Sequence, residues 1–352
     1  MDLSSLVRPN ILRLTSYSSG KSEFSGKACV YLDTNENPFG DNITNRYPDP
    51  TQKELVEKIA RQKSEQFSCT VLPENIALGN GSDEILDALT RIFCIPKKDA
   101  IVFCSPTFGM YRVVADMNDV SHISLPLDDA FDLDVSRILA EAKKAKILFL
   151  CSPNNPTGNA MSSKRIEKIL REFQGIAVLD EAYIDFCPAK SFLPRLSEFP
   201  RLAITQTFSK AWGMAGVRLG MCFSSSEMTS LLFRIKMPYH INVLTAKYVL
   251  ARLADPSRFL QEQETILLER NRLFRELARF SNVLKIFPSD SNSLLIQFSD
   301  SEGVFQYLLS VGIVVRNFSH VPRLNGCLRI SIGSPEENTL LLKTLSVFLT
   351  KI

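Results

Sequence analysis

The chain has 352 residues, of which 45% are hydrophobic and 22% charged, and its formal net charge is +3. This composition is typical of a globular protein of one or two domains, and the small charge argues against nucleic acid or a membrane surface as a partner. No apolar run approaches the roughly 20 residues of a membrane-spanning helix, and the first residues show no signal-peptide pattern. The eight cysteines are scattered, as is typical of reduced thiols, so we expect a cytoplasmic protein.

His122, His240 and His320 lie far apart in the sequence. Their spacing is not that of metal ligands, and we expect each to be a surface or packing residue. The chain is therefore predicted to bind no metal.

Residues 1–45 are rich in Ser, Asn and Gly and are predicted to form an extended arm. Helical and strand patterns alternate within residues 46–256. Helices are predicted at 54–62, 82–93 and around 166–173, and strands at 76–78, 101–104, 146–151, 176–180 and 202–207. The strands are short and apolar on both faces, which indicates an α/β domain with a mostly parallel sheet covered by helices on both sides.

Residues 257–352 are predicted to form a smaller C-terminal α/β domain. A long charged helix follows Pro256 and runs to about residue 280. Strands are predicted at 283–287, 293–298, 313–316 and 327–332, with helices near 302–310 and from residue 335. Because ligands bind beyond the carboxyl ends of parallel strands, the motifs at the strand ends of the larger domain are the candidates for a site.

Three loops that follow strands carry candidate binding residues. A Gly-Asn-Gly turn places Ser82 and Asp83 at a predicted helix start, where free N–H groups and the helix dipole favour a phosphate. Phe108 can stack on an aromatic ring, and a rigid turn with two prolines can hold the Asn155 amide against a ring hydroxyl. Each has a simpler interpretation: Ser82 as an N-cap, Phe108 as a core residue, and an ordinary turn around Asn155.

Asp180 and Lys210 indicate the chemistry more sharply. Asp180 ends the apolar strand 176–180, where a carboxylate costs stability unless it has a partner such as a protonated pyridine nitrogen; a surface carboxylate or an N-cap is the alternative. Lys210 can form a Schiff base with an aldehyde, while Ser209 and Arg218 can hold a phosphate dianion. Any one of these cations alone would be interpreted as solvated surface. Their joint occurrence at strand ends points to pyridoxal phosphate (PLP).

Two arginines lie in predicted strands of the smaller domain. Arg316 and Arg329 are flanked by Val, Leu and Ile, and a strand arginine in such surroundings needs an anionic partner. A structural salt bridge is one interpretation. We favour a substrate anion, because the smaller domain is expected to close over the site.

Taken together, these motifs resemble those of the fold-type I PLP-dependent aminotransferases, and more narrowly those of the histidinol-phosphate aminotransferase family. The similarity extends over nearly the whole chain. Its more specific parts are Asn-Glu-Asn-Pro at 35–38, Tyr-Pro-Asp at 47–49 and Leu-Arg-Ile at 328–330, whereas Asp-Glu-Ala-Tyr at 180–183 and Ser-Lys at 209–210 belong to the wider superfamily. The resemblance implies the fold-type I architecture, with the arm 1–45 packing against the smaller domain.

The resemblance also implies a role for each candidate. Lys210 would carry PLP covalently and move the proton between the substrate and cofactor carbons, and Asp180 would pair with the pyridinium nitrogen. The other cofactor residues would be Asn155 and Tyr183 at the ring oxygen, Phe108 on the ring face, and Ser82, Asp83, Ser209 and Arg218 at the phosphate. Tyr47 would reach the phosphate in a partner subunit, which implies a homodimer. The substrate would be bound by Tyr17, Asn37, Arg316 and Arg329, with Asn242 as a weaker candidate near the site.

Two positions depart from the family pattern. Ser16 precedes Tyr17 where the family often has proline, which implies a looser arm. Phe108 stands where a tyrosine often stacks on the ring, so the stacking is kept and the hydroxyl is lost.

The implied reaction interconverts L-histidinol phosphate plus 2-oxoglutarate with imidazole acetol phosphate plus L-glutamate, in histidine biosynthesis. One alternative is an aromatic amino acid aminotransferase, which can share all of these motifs. Another is a PLP decarboxylase acting on a phosphorylated amino acid such as threonine phosphate. A PLP-binding regulatory module without turnover is disfavoured, because no basic DNA-binding extension precedes the arm.

Overall fold

The computed structural model describes residues 3–15 and 30–349, so the prediction for Tyr17 lies outside the described residues. One sheet has seven strands: β1 (Ile76–Asn80), β2 (Ala100–Ser105), β3 (Ser121–Pro126), β4 (Ile147–Cys151), β5 (Ile176–Asp180), β6 (Leu202–Thr207) and β7 (Leu219–Phe223). Their order is β1-β7-β6-β5-β4-β2-β3. All ladders from β3 to β6 are parallel, and only β7 runs antiparallel to its neighbours β1 and β6. The predicted mostly parallel sheet is confirmed.

Helices cover both faces of this sheet, because its central strands are buried on both sides. Along β4, Leu148 and Leu150 belong to one apolar core, while Phe149 and Cys151 belong to the other. The helices that supply these cores are α1 (Pro9–Leu12), α2 (Lys53–Phe67), α3 (Ser82–Phe93), α4 (Met110–Met117), α5 (Val135–Ala142), α6 (Ser163–Glu172), α7 (Ser226–Ile235) and α8 (Val243–Leu253).

The second sheet is antiparallel and has its own apolar core. Its strands are β8 (Val283–Ile286), β9 (Ser293–Phe298), β10 (Arg316–Asn317) and β11 (Cys327–Ser331), in the order β10-β11-β9-β8. Helices α9 (Pro256–Leu277), α10 (Ser301–Ser310) and α11 (Pro335–Leu349) contribute to that core. The two sheets are joined near the site, where Asp290 N donates to Gly158 O at 2.8 Å and Ala160 N donates to Asp290 Oδ2 at 2.8 Å.

Two strands of the larger sheet, β3 and β7, were not predicted from the sequence. The edge strand β3 is half-exposed and carries serine and histidine, so it lacks an apolar signature. In β7 the pattern is interrupted by Gly220, where a Cβ would lie 2.3 Å from Ser82 N, so glycine is needed for the start of α3 to approach the strand. The strand predicted at 313–316 is reduced to the two residues of β10.

The first residues pack against the larger sheet rather than the smaller unit. Leu3 and Val7 are buried in the core that contains α3, and Leu3 N donates to Glu227 Oε1 of α7 at 2.9 Å. The expected packing of the arm against the smaller domain is therefore wrong for residues 3–12, while the domain bounds 1–45, 46–256 and 257–352 stay predictions. Among the described residues, no helix has both the length and the apolar character needed to cross a bilayer.

Candidate active site

A cavity of about 600 Å³ opens where the carboxyl ends of the parallel strands meet the second sheet. Most of the predicted site residues line it: Ser82, Asp83, Phe108, Asn155, Asp180, Tyr183, Ser209, Lys210, Arg218, Arg316 and Arg329. Tyr17 lies outside the described residues, and Asn37 and Tyr47, although described, do not line this cavity. The two sheets therefore bring together residues that are far apart in the sequence.

Asp180 is buried at the end of β5, with 2% of its surface exposed. The Tyr111 hydroxyl donates to its Oδ2 at 2.7 Å, and Thr205 Oγ1 and Ala182 N donate to its Oδ1, each at 3.2 Å. Burial raises the pKa of this carboxyl, and the three hydrogen bonds oppose that rise. Since these donors are neutral, a cation at the free edge of the carboxylate would stabilise its ionised form.

Lys210 follows β6 in a tight turn and is half-buried. Its Nζ lies 5.4 Å from the centroid of the Tyr183 ring. Burial, with Arg329 as the next cause, lowers the pKa of the amine. Burial raises the pKa of the Tyr183 phenol, which therefore stays protonated and can donate a hydrogen bond. The pair therefore places an amine with a lowered pKa beside a hydroxyl donor.

An anion cradle lies at the start of α3. Helix α3 begins at Ser82 and its N-cap is Gly81, so the interpretation of Ser82 as the N-cap is wrong. Gly81 has a φ of +79°, and a Cβ there would stand 2.5 Å from Arg218 Nη2, so the guanidinium approaches bare backbone. Arg218 Nη2 is also 3.7 Å from Asp83 Oδ2, which orients it. Helix N–H groups, a guanidinium and the hydroxyl of Ser209 together suit a phosphate.

The opposite wall of the cavity is cationic. Arg316 and Arg329 are register partners on the antiparallel strands β10 and β11. Arg329 donates to Asn155 Oδ1, and its guanidinium carbon lies 5.4 Å from the centroid of the Phe318 ring. Burial lowers the pKa of Arg329, and Arg316 contributes to that change. Like charges directly opposite each other are destabilising, and an anion between them removes the repulsion.

Some cavity residues were not recognised in the sequence. His320 is exposed, as a surface residue is expected to be, but it also lines the cavity with Phe318 and Val321, which its spacing in the sequence did not indicate. The only sequence signal was its place a few residues after Arg316. Asn242, the weaker candidate, instead caps α8, where its Oδ1 accepts a hydrogen bond from Thr245 N at 2.8 Å.

Tyr47 belongs to a separate group of contacts outside the cavity. Its backbone N donates to Glu36 Oε1 at 2.6 Å, and Arg46 Nη1 pairs with Glu36 Oε2 at 2.8 Å. The ring of Tyr47 stacks on Tyr239 with centroids 4.5 Å apart. The two sequence motifs at 35–38 and 47–49 are thus held together by Glu36.

Comparison with known proteins agrees with the geometry of the site. The family of aminotransferases class I and II matches residues 34–345. A histidinol-phosphate aminotransferase of Parabacteroides distasonis is 46% identical over 345 residues, which cover 98% of each chain. Another, of Cytophaga hutchinsonii, is 45% identical over 350 residues, covering 98% of this chain and 99% of the relative.

Solved structures are similar as well. The histidinol-phosphate aminotransferase from Sinorhizobium meliloti, in complex with pyridoxal-5'-phosphate, superposes with a TM-score of 0.79 at 25% identity, covering 88% of this chain and 84% of that one. In this chain Lys210, Asp180 and Arg218 line one cavity at the strand ends. The chain belongs to the class I and II aminotransferase family, within its histidinol-phosphate aminotransferase branch.

Proposed function

We propose that this enzyme interconverts L-histidinol phosphate plus 2-oxoglutarate with imidazole acetol phosphate plus L-glutamate, in histidine biosynthesis. The observation that carries the proposal is the register pair Arg316 and Arg329, which lines the same cavity as Lys210 and Asp180. Two planar guanidinium groups suit an anion held away from the reacting carbon, whether a phosphate or a carboxylate. The 46% identity to the P. distasonis enzyme supports the same substrate.

The cavity residues fit pyridoxal 5'-phosphate as the cofactor. A buried carboxylate suits a pyridinium nitrogen, an amine suits an aldehyde, and the start of α3 at Gly81, beside the Arg218 guanidinium, suits a phosphate. We infer that the cofactor is attached covalently at Lys210. When bound, PLP supplies an aldehyde that carries the amino group and a protonated ring that takes up the electron pair released at the substrate carbon.

Lys210 acts as the proton-transfer group. Since burial lowers the pKa of its amine, a larger fraction is neutral near pH 7 than for an exposed lysine. Its Nζ would take the proton from the substrate carbon that bears the amino group and deliver it to the cofactor carbon within the same half-reaction, and the second half-reaction would reverse this transfer. Asp180 holds the ring nitrogen, the protonated Tyr183 and the Asn155 amide hold the ring oxygen, and Phe108 stacks on the ring face.

Two anion sites fix the remaining parts. The backbone N–H groups of Ser82 and Asp83, with Ser209 and Arg218, hold the cofactor phosphate. The substrate anion is held by Arg316 and Arg329, with Tyr17 and Asn37 from the first segment of the chain. Because the same arginines accept phosphate and carboxylate, one pocket serves both half-reactions.

We also propose a cytoplasmic homodimer in which Tyr47 completes the phosphate site of the partner. In support, Tyr47 does not line the cavity of its own chain, and it stacks on Tyr239. The segment around Tyr239 exposes large apolar side chains, with Met237 75% and Leu244 61% exposed, which a second copy would cover. The described cysteines are free thiols, in keeping with a reducing compartment.

Steady-state kinetics test the substrate. We expect kcat/KM for histidinol phosphate, with 2-oxoglutarate as acceptor, to exceed that for phenylalanine by at least about 100-fold, since only the former brings a phosphate to the two arginines. Preference for phenylalanine would identify an aromatic amino acid aminotransferase instead. Release of carbon dioxide from threonine phosphate would indicate a decarboxylase, and cofactor binding without turnover of any amine would indicate a regulatory module.

A further inference from the structure

Tyr111 occupies a position that the reaction described above does not use. It lies in the first turn of α4 and is fully buried, at 0% exposure. Its hydroxyl donates to Asp180 Oδ2 at 2.7 Å. Its ring stacks on Phe149 with centroids 4.9 Å apart and an interplanar angle of 5°, and meets Phe108 edge-on at 5.7 Å and 89°. With a third ring, Phe103, at 6.3 Å, these aromatic contacts hold the Tyr111 ring in place and thereby position its hydroxyl.

The Tyr111 hydroxyl supports the charge of Asp180, which is buried. Burial opposes the charged form of this carboxyl, and the hydrogen bond from Tyr111 is the largest contribution in the opposite direction. Thr205 and Ala182 donate to Oδ1, so Tyr111 is the donor that holds Oδ2. A hydrogen bond to an ionised acceptor is roughly twice as strong as one between neutral groups. Burial also raises the pKa of the Tyr111 phenol, so it remains a donor.

We propose that Tyr111 is a positioning residue, which keeps Asp180 ionised and oriented so that it can hold the protonated ring nitrogen of the cofactor. The inference rests on the proposed function in one respect, namely that the cofactor is PLP. Tyr111 acts through Asp180 and does not itself line the cavity formed by the described residues. Through its edge contact with Phe108, Tyr111 connects two proposed cofactor contacts. Phe108 is the residue proposed to stack on the cofactor ring, and Asp180 is the carboxylate proposed to hold its nitrogen.

The test compares two ligands that differ only at the ring nitrogen. Tyr111→Phe keeps the aromatic contacts and removes the hydroxyl. The ligands are PLP and its 1-deaza analogue, in which a carbon replaces that nitrogen. Binding to the apoprotein is measured by quenching of Trp212, the one tryptophan of the chain, which is two residues beyond Lys210. We expect the variant to bind PLP about 10-fold more weakly or worse, and the analogue within about 3-fold of the unmodified protein.

Equal losses for the two ligands would show that Tyr111 only supports the fold of the site, and no loss for either would show that the hydrogen bond is unimportant; either result overturns the proposal. Tyr307→Phe is the matched control, because that tyrosine stacks on Phe348 in the second unit and should change neither affinity. If Tyr111→Phe does not fold, Tyr111→Met removes the same hydroxyl with a flexible side chain that fills the space, and carries the same expectation.

The binding comparison needs no amino donor, so its result does not depend on whether the proposed reaction takes place. A protein that shows the selective loss but does not turn over histidinol phosphate keeps the role of Tyr111 and loses the substrate. A protein that turns over histidinol phosphate but loses affinity for both ligands equally keeps the substrate and loses the role of Tyr111.

Discussion

Replacing Arg329 with glutamine tests the anion pocket most directly. The side chain is half-buried between the Phe318 ring and Asn155, so its guanidinium cannot swing away and be replaced by water without disturbing both neighbours. A hydrogen bond to a charged group contributes about 1.5–3 kcal/mol, and 1.36 kcal/mol corresponds to a factor of ten. One lost contact therefore lowers kcat/KM about 10-fold to 150-fold, and a lost forked pair lowers it further.

Arg316→Gln tests the second arginine of the proposed anion pocket, on the facing strand. Arg316 is a register partner of Arg329, but its side chain is exposed. An exposed ion pair contributes about 0–1 kcal/mol, so this change should lower kcat/KM by no more than about 5-fold. The comparison separates a buried anion contact from general positive charge in the cavity.

The assay follows each half-reaction in a single turnover by the cofactor absorbance, with histidinol phosphate and with glutamate as separate donors. In Arg329→Gln, kcat/KM should fall for both donors, because one pocket is proposed to hold the phosphate of histidinol phosphate and a carboxylate of glutamate. The reasoning fails if Arg316→Gln is the more damaging change. It also fails if Arg329→Gln lowers kcat/KM by less than about 3-fold for both donors.

Three further outcomes follow from the structure. Gly81→Ala forces an L residue to a φ of +79° and brings a Cβ to 2.5 Å from Arg218 Nη2, so it should destabilise the fold by about 1–2 kcal/mol and weaken cofactor binding more than 10-fold. Chemical unfolding measures the stability, and quenching of Trp212 fluorescence measures the affinity. Unchanged affinity would contradict the assignment of the anion cradle. Burial raises the pKa of Glu181 from 4.5 to about 7, so between these pH values the folded state binds a proton that the unfolded state has lost. The free energy of unfolding should therefore fall as pH rises from about 4.5 through about 7. Urea unfolding of Glu181→Gln should lack this pH dependence, and an unchanged dependence would refute the assignment. Mixing Tyr47→Phe and Lys210→Ala subunits should restore activity above that of either parent, because one of the two sites then has both intact residues; no recovery would place Tyr47 in its own subunit's site.

Much of the site could be predicted because its chemistry is concentrated at strand ends. Asp180 terminates an apolar strand whose residues are all buried, and Lys210 follows another, so both were placed at the same edge of the sheet by period and polarity alone. The N-cap of α3 was mistaken because serine is a preferred N-cap residue, whereas in the structure the helix already begins at Ser82 and Gly81 takes the N-cap position.

The sequence by itself determined the alternation of apolar strands with helices, the parallel sheet that this alternation requires, and the order of motifs along one edge. These are local properties, since a two-sided apolar run can be buried only between helices. Only the tertiary structure decided that His320 enters the cavity, that Arg316 and Arg329 face each other, and that Tyr111 holds Asp180. Such contacts depend on register and on side-chain direction between distant segments, and residue type and spacing carry neither.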